Sequence, residues 1–258
     1  MPSPDDTERP SVVILTPLKN AAPHLDRYVE LIERLDWPRD RLSIGLLEGD
    51  STDDTYAKAE ALLPRLEQRC HGARLLKRDF GFQLPAGVPR WTPGFQLARR
   101  SVLAKARNHL LFGALASEQW VLWIDVDVVD YPADIIAQLL ATQFDIVVPH
   151  CVTVNGGATF DQNNWSEHGT VRMSDRRGTG AMRLDSVGGA MLLVKADLHR
   201  DGLIFPPFRY GVGNSRIRPA HPEWNKGEVE TEGLGIMAAD MGVQCWGLPD
   251  LEILHSSS

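Results

Sequence analysis

The chain has 258 residues, of which 43% are hydrophobic, and its formal net charge is −7. That length fits one large α/β domain or two small ones, and the acidic balance excludes the basic footprint of a nucleic-acid-binding protein. No apolar run approaches the roughly 18 residues of a membrane span, so the chain is expected to be soluble, and cytoplasmic or at most peripheral to a membrane. Residues 1–10 are polar, acidic and proline-rich, which predicts a disordered lead and not a signal peptide.

Two strand–helix repeats follow this lead. Short apolar runs alternate with segments that repeat apolar residues every three or four positions, which predicts parallel strands joined by right-handed crossovers. The predicted strands are Val12–Thr16, Leu42–Leu47 and Ala73–Lys77, and the predicted helices lie at 25–35 and 51–68.

A loop and a long helix come next. Residues 80–94 hold three prolines and three glycines, and loops of this length in compact domains are often functional. The apolar periodicity of residues 95–115 predicts a helix with four basic residues, for which a solvated face is the ordinary interpretation. Arg107 lies beside the apolar stripe and is the one expected to point inward.

The run WVLWIDVDVVDY begins as a buried strand and ends in acids. In an extended chain, residues two apart point to the same face, so Asp125 and Asp127 are expected to repel each other unless a cation lies between them. A hard divalent ion with oxygen ligands fits that need, and its spare positions could take phosphate oxygens. A D-x-D also arises by chance in a chain of this composition.

The second half of the chain alternates short elements with polar, glycine-rich loops. The patterns predict a helix at 135–143, buried strands at 145–152 and 186–194, and a helix at 228–241. Two short strands, 244–248 and 251–254, lead directly to His255.

Several phrases together resemble one family. AKARNHLL, WVLWIDVDVVDYPADII, FDQNNW, SVGGAMLLVKADLHRDGLIFPPF, ETEGLGIMAADMG and WGLPDLEILH resemble the fungal mannan-polymerase family of GDP-mannose-dependent α-mannosyltransferases. The resemblance implies a GT-A glycosyltransferase fold, that is, an α/β Rossmann-like fold with a mostly parallel central sheet flanked by helices. It further implies one catalytic domain over 11–258, with a nucleotide-sugar-binding half at 11–130 and an acceptor-binding half at 131–258. A Golgi location is expected only if a natural membrane anchor precedes this chain.

The resemblance also implies a metal site. Such enzymes hold Mn²⁺, or Mg²⁺, on the D-x-D and a C-terminal histidine, which correspond here to Asp125, Asp127 and His255. Arg107 would offset diphosphate charge, and Asp161 would face the sugar or the acceptor.

The donor implied by the resemblance is GDP-mannose. Thr16, Pro17 and Lys19 match the loop that lies over the nucleotide, and Glu48 matches the acid that meets the base or ribose. Asp125 would also contact the donor.

The expected reaction retains the α configuration, so it requires no base on the opposite face of the sugar. Glu230 or Glu232 would suit an inverting base, but acceptor binding or charge at a helix N-terminus is preferred for both. The acceptor is a glycan, glycolipid or small glycoside, and a homo-oligomer is possible. Two alternatives stay open, namely a GT-A transferase that uses a UDP-linked sugar and a non-catalytic scaffold subunit that binds nucleotide sugar.

Overall fold

The computed structural model describes residues 9–85, 87–89, 92–213 and 219–256. A nine-stranded sheet forms the centre of this described part, in the order β3-β2-β1-β4-β10-β6-β11-β5, with β9 paired to β11. The strands are β1 Val12–Leu18, β2 Leu42–Glu48, β3 Gly72–Lys77, β4 Trp120–Ile124, β5 Val128–Asp130, β6 Ile146–Val152, β7 Trp165–Ser166, β8 Val171–Arg172, β9 Met182–Leu184, β10 Met191–Lys195 and β11 Cys245–His255. The helices are α1 Leu25–Glu33, α2 Thr55–Arg69, α3 Pro93–Ala114, α4 Ile135–Ala141, α5 Ala196–Arg200 and α6 Glu230–Asp240.

The predicted α/β class is confirmed. Strands β1 to β4 are parallel, as the two strand–helix repeats predict. The sheet then continues without a break into the second half of the chain, where β10 runs antiparallel to both β4 and β6. The carboxyl ends of β1, β2 and β4 therefore lie at one edge of the sheet, which is where ligands bind in open α/β folds.

Helices cover both faces of the sheet. In β1, Val12 and Ile14 belong to one hydrophobic cluster, while Val13 and Leu15 belong to the other. This alternation is the period-two pattern of a strand buried on both sides. α1, α2 and α4 pack in the first cluster, and α3 and α6 pack in the second.

The two short strands predicted near the C-terminus form one strand, β11. Its register against β6 shifts between Leu248 and Glu252, where a bulge accommodates Pro249. The strand ends at His255, which pairs with Val128 of β5. The bulge thus lets one strand run from α6 back to the D-x-D segment. No helix in the described part of the chain is long and apolar enough to cross a bilayer.

Candidate active site

An acid-lined pocket of about 210 Å³ opens where β4 ends. Segments that are far apart in sequence contribute to its wall. Its charged and titratable side chains are Arg99, Arg107, Asp125, Asp127, Asp161, Glu230 and His255. The pocket therefore contains most of the residues predicted for the metal and the sugar.

Asp125 and Asp127 reach this pocket through a turn. The backbone N–H of Asp125 donates to the carbonyl of Ala190 at 2.9 Å, which ends the β4–β10 ladder. The N–H of Val128 then donates to the carbonyl of Asp125 at 3.2 Å and closes a tight turn over 125–128. The prediction that the two acids share one face of an extended strand is therefore wrong, although both side chains line the same pocket.

Arg107 points inward, as its position beside the apolar stripe of α3 predicts. Its side chain is 1% exposed and lies between two carboxylates, with Nη2 2.9 Å from Asp125 Oδ1 and Nε 3.2 Å from Glu230 Oε1. The guanidinium also lies over the rings of Trp123 and Phe205 at 5.4 Å. These contacts fix the arginine in one position because its planar head binds both acids and stacks on aromatic faces.

The pocket carries an excess of negative charge. Burial raises the pKa of Asp125 despite the opposing charge of Arg107, and Asp127, Asp161 and Glu230 raise it further. Burial also raises the pKa of Asp161, whose carboxylate accepts from the N–H groups of Asn163 and Ala190 at 3.2 Å each. A carboxylate with a raised pKa is one whose charge its surroundings do not fully compensate.

His255 stands between two oxygen acceptors. Its Nδ1 is 2.7 Å from the carbonyl of Ser256, and its Nε2 is 3.0 Å from Asp127 Oδ1. Burial lowers the pKa of the imidazole, but the hydrogen bond and charge of Asp127 outweigh that effect and raise the pKa overall. Both nitrogens face oxygen acceptors, so a doubly protonated ring can donate to each of them, and a cation bound at Nε2 would take the place of one proton.

A second cavity of about 630 Å³ adjoins the acid pocket. Pro17 and Lys19, both predicted to cover the nucleotide, contribute to its wall. Lys19 donates to the carbonyl of Phe82 and lies over that ring, so the 80–84 segment closes the cavity from the other side. Arg99 and Leu103 of α3 line both spaces, which makes the cavity and the pocket neighbours.

Two residues predicted to bind the nucleotide lie elsewhere. Thr16 is fully buried, and its hydroxyl donates to the carbonyl of Ile124 at 2.7 Å, so it joins β1 to β4 instead of facing a ligand. Glu48 is 2% exposed and accepts from the N–H of Ser51 at 3.0 Å, so it stabilises the turn after β2. Neither side chain lines the cavity.

Asp50 and Arg99 are the charged cavity residues that the sequence reasoning missed. Asp50 adopts a left-handed backbone, with φ of 60°, and its carboxylate accepts from the N–H groups of Phe80 and Gly81. It thereby ties the 80–84 segment to the cavity. Arg99 lies two turns before Arg107 on α3, and that helical spacing is the signal that would have placed both on one face.

Glu230 and Glu232 lie in the first turn of α6, and both are engaged. Glu230 binds Arg107 and accepts from the hydroxyl of Thr231 at 2.9 Å. Glu232 accepts from Arg100 Nη1 at 2.6 Å and from Trp165 Nε1 at 2.9 Å. Both carboxylates therefore hold α6 against α3 and the neighbouring loop.

The comparisons with known proteins agree with this architecture. The Anp1 family model matches residues 2–177 and 169–209. The chain is 30% identical to "Mannan polymerase complex subunit MNN9" of Candida albicans, over 96% of this chain and 75% of that protein. It is 26% identical to "Mannan polymerase II complex anp1 subunit" of Schizosaccharomyces pombe, over 97% of this chain but only 65% of that protein.

Solved structures show the same fold at lower identity. A mannosyltransferase from Pyrobaculum calidifontis, solved in complex with GDP-Man and Mn²⁺, superposes with a TM-score of 0.60 and 19% identity, over 99% of this chain and 59% of that one. S. aureus TarS, solved with UDP, gives a TM-score of 0.55 and 15% identity, over 94% of this chain and 59% of that one. The neighbours are GT-A glycosyltransferases, so the expected GT-A fold is confirmed.

Proposed function

The chain belongs to the Anp1 family, and from that premise we propose that it is a retaining, metal-dependent α-mannosyltransferase that uses GDP-mannose. The acceptor is a glycan, glycolipid or small glycoside. The observation that carries the proposal is the acid-lined pocket beside a cavity of nucleotide size, with Arg99 on the wall shared by both.

The residues present fit a divalent cation. Asp125, Asp127 and His255 supply the oxygen and nitrogen donors that Mn²⁺ accepts, and Mg²⁺ is the alternative for a more oxygen-rich shell. Among the described residues, no three His, Cys, Asp or Glu side chains are arranged so that they could already hold a metal ion. In the arrangement present, Asp125 pairs with Arg107 and Asp127 pairs with His255. A bound ion would act as a Lewis acid on the diphosphate oxygens of the donor.

The chain's own cations act on the same charge. Arg99 lies on the wall between cavity and pocket, where the diphosphate of a donor seated in the cavity would lie. Arg107 is held at the base of the pocket by Asp125 and Glu230, so its charge is in place before the substrate arrives. Such preorganised charge stabilises a leaving group without reorganisation during the reaction.

The carboxylates of α6 favour retention over inversion. An inverting base must be free to take a proton from the acceptor. Glu230 and Glu232 instead accept hydrogen bonds from Arg107, Thr231, Arg100 and Trp165. We assign them to positioning, and we assign Asp161, which lines the pocket, to contact with the sugar or acceptor.

Titration calorimetry of GDP tests the proposal. Binding of GDP in the presence of Mn²⁺ should weaken at least tenfold in EDTA and in Asp127→Asn, because a lost charge-assisted contact costs about 1.5–3 kcal/mol. Asp130→Asn is the matched control, since Asp130 lies three residues further on, is 46% exposed and pairs with Arg27 and Arg34. If GDP binds tightly and EDTA does not change its affinity, the proposed metal site is contradicted.

Two further outcomes separate the alternatives. If UDP displaces the donor better than GDP does, the enzyme uses a UDP-linked sugar. The TarS neighbour was solved with UDP, which is the reason for including UDP in the test. If GDP-mannose binds with the metal but neither mannosyl transfer nor donor hydrolysis is detected, the chain is a binding subunit of a complex, the kind of assembly named in its relatives.

A further inference from the structure

A shallow groove of about 640 Å³ lies outside the acid pocket and the nucleotide cavity. Its wall is formed by the 166–185 segment and presents the polar side chains Glu167, His168, Arg176, Thr179, Arg183 and Asp185. Met182 contributes an apolar surface and is only 9% exposed, whereas most of the polar residues are solvent-exposed. Polar groups around an apolar surface match a sugar ring, which has an apolar face and a rim of hydroxyls.

An aromatic cluster adjoins the groove at His168. The ring of Trp224 is 4.7 Å from that of His168 and 5.2 Å from that of Trp165. Trp165 is buried and donates to Glu232 at the start of α6, so the cluster is anchored to the body of the protein. Trp224 itself is part-exposed, and an anchored, part-exposed indole provides a flat apolar surface with little loss of side-chain freedom on binding.

The groove is connected to the acid pocket by two short stretches of chain. Asp161 lies four residues before Trp165, and Gly189, whose carbonyl accepts from Arg107, lies four residues after Asp185. The two stretches are joined to each other where the N–H groups of Asp185 and Ser186 donate to the carbonyl of Trp165 at 3.0 and 3.3 Å. Four residues of chain span at most about 14 Å, so the groove is within the length of a short oligosaccharide from the pocket.

The backbone at the groove is held in a costly conformation. Glu167 and His168 both have positive φ, at 50° and 54°, and Gly169 follows at 89°. Consecutive left-handed residues other than glycine are uncommon and persist where the surrounding structure fixes them. The N–H of His168 is fixed by Asp185 Oδ2 at 3.3 Å, and Glu167 pairs with Arg176 at 3.3 Å.

We propose that the groove lined by residues 166–185, with Trp224 beside it against His168, is a second binding site for a neutral glycan and holds the part of an extended acceptor that lies away from the reacting hydroxyl. The inference rests on the proposed glycosyltransferase function and deepens it. The enzyme would then use a chain of sugars better than a single sugar, because a longer acceptor occupies both the pocket and the groove.

Acceptor-length kinetics test this proposal. Methyl α-mannoside and its linear α-linked di- to pentasaccharides are supplied with GDP-mannose and Mn²⁺ to the wild type, to the double variant His168→Ala/Arg183→Ala and to Trp224→Ala. In the wild type, kcat/KM should rise with acceptor length. In the variants, that gain should fall about tenfold, the effect of losing one or two polar or stacking contacts, while transfer to methyl α-mannoside stays within about twofold. His71→Ala/Arg65→Ala, a matched pair of surface residues on α2 and the segment that follows it, should behave as wild type.

The outcomes distinguish this site from the proposed function. An unchanged length gain in both groove variants, or no length gain in the wild type, overturns the groove assignment while leaving the transferase intact. If no acceptor of any length is mannosylated, the proposed function fails, and titration of the pentasaccharide without donor decides the groove separately. If the wild type binds the pentasaccharide and the groove variants do not, the groove site is supported. If the wild type does not bind the pentasaccharide, the groove site is overturned.

Discussion

Replacing Arg107 with methionine should destabilise the protein more than any loss of a surface ion pair. The side chain is 1% exposed and lies 2.9 Å from Asp125 and 3.2 Å from Glu230. Methionine keeps much of the volume between Trp123 and Phe205 but removes the cation from Asp125, whose side chain is 31% exposed. It leaves the buried Glu230 with Arg100 alone, whose Nε lies 3.7 Å away. Removing one partner of a buried ion pair costs about 3–5 kcal/mol, which is a large share of the roughly 5–15 kcal/mol that stabilises a typical domain.

A double-mutant cycle separates this charge effect from lost packing. Glu230→Gln alone should cost about 1–2 kcal/mol, since an amide oxygen still accepts from Arg107 but the charge is gone. In the Arg107→Met background, the same substitution removes one of the stranded charges and should cost nothing or restore stability. The two substitutions should therefore couple by about 2 kcal/mol, within the range found for residues in one network.

Urea unfolding followed by circular dichroism and tryptophan fluorescence, at neutral pH with EDTA, measures each corner of the cycle. Arg65→Met is the control, because Arg65 also pairs with a carboxylate, Glu33 at 2.7 Å, but is 43% exposed. It should cost no more than about 1 kcal/mol. If Arg107→Met and Glu230→Gln add to within about 0.5 kcal/mol, the two side chains do not form the charge network described above.

Two further predictions concern the fold. His199 is buried with a pKa lowered to about 4 by burial, and its Nδ1 donates to the carbonyl of Leu203 at 2.7 Å. In the unfolded chain the imidazole has an ordinary pKa near 6.5. The buried neutral ring therefore contributes fully to the free energy of unfolding above pH 6.5. That contribution, about 3 kcal/mol, is lost as the pH falls towards 4. Between pH 7 and pH 4.5, the urea midpoint of His199→Gln should decrease less than that of the wild type. If both midpoints decrease equally, His199 is not buried as a neutral ring. Gly235→Ala in α6 should destabilise by at least about 1 kcal/mol, since a Cβ there would lie 2.6 Å from the carbonyl oxygen of Asp185. Gly94→Ala in α3 is the control, because a Cβ there would meet nothing within 4 Å, and it should raise the thermal midpoint. If Gly235→Ala and Gly94→Ala change the thermal midpoint equally, α6 is not closely packed at Gly235.

Most elements of the first half of the chain follow from its pattern. β1, β2 and β3 each lie within one or two residues of the predicted strands. β1 and β2 are short apolar runs buried on both faces, whereas β3 is partly exposed at the edge of the sheet. α3 begins at Pro93, whose ring suits the first turn of a helix, two residues before the predicted start. β5 was missed because its three residues carry no period of their own and are ordered by pairing with β11.

The site was only partly predictable, and the reason is physical. Asp125 and Asp127 were found from their spacing at the end of a buried strand, and His255 was found through the family resemblance. The structure places all three on one pocket. Thr16 and Glu48 do not line the cavity, because being at the end of a strand does not fix where a side chain points. Thr16 turns into the core to satisfy the carbonyl of Ile124. A hydrogen-bond partner of this kind belongs to another strand, so the local sequence does not indicate it.

The charge of the pocket bears directly on the cation proposed to bind there. Four carboxylates, Asp125, Asp127, Asp161 and Glu230, face two guanidiniums and the imidazole of His255. Even with the imidazole doubly protonated, negative charge is in excess, and the neighbouring acids add to burial, which is the main cause of the raised pKa of Asp125. A divalent cation that replaced the proton on His255 Nε2 would bring the group to neutrality. The pocket would then present no net repulsion to a nucleoside diphosphate, and Arg99 and Arg107 would remain to bind it. Under the proposed function, the attraction to an anionic donor would therefore depend on the cation, whereas the neighbouring cavity is present without it.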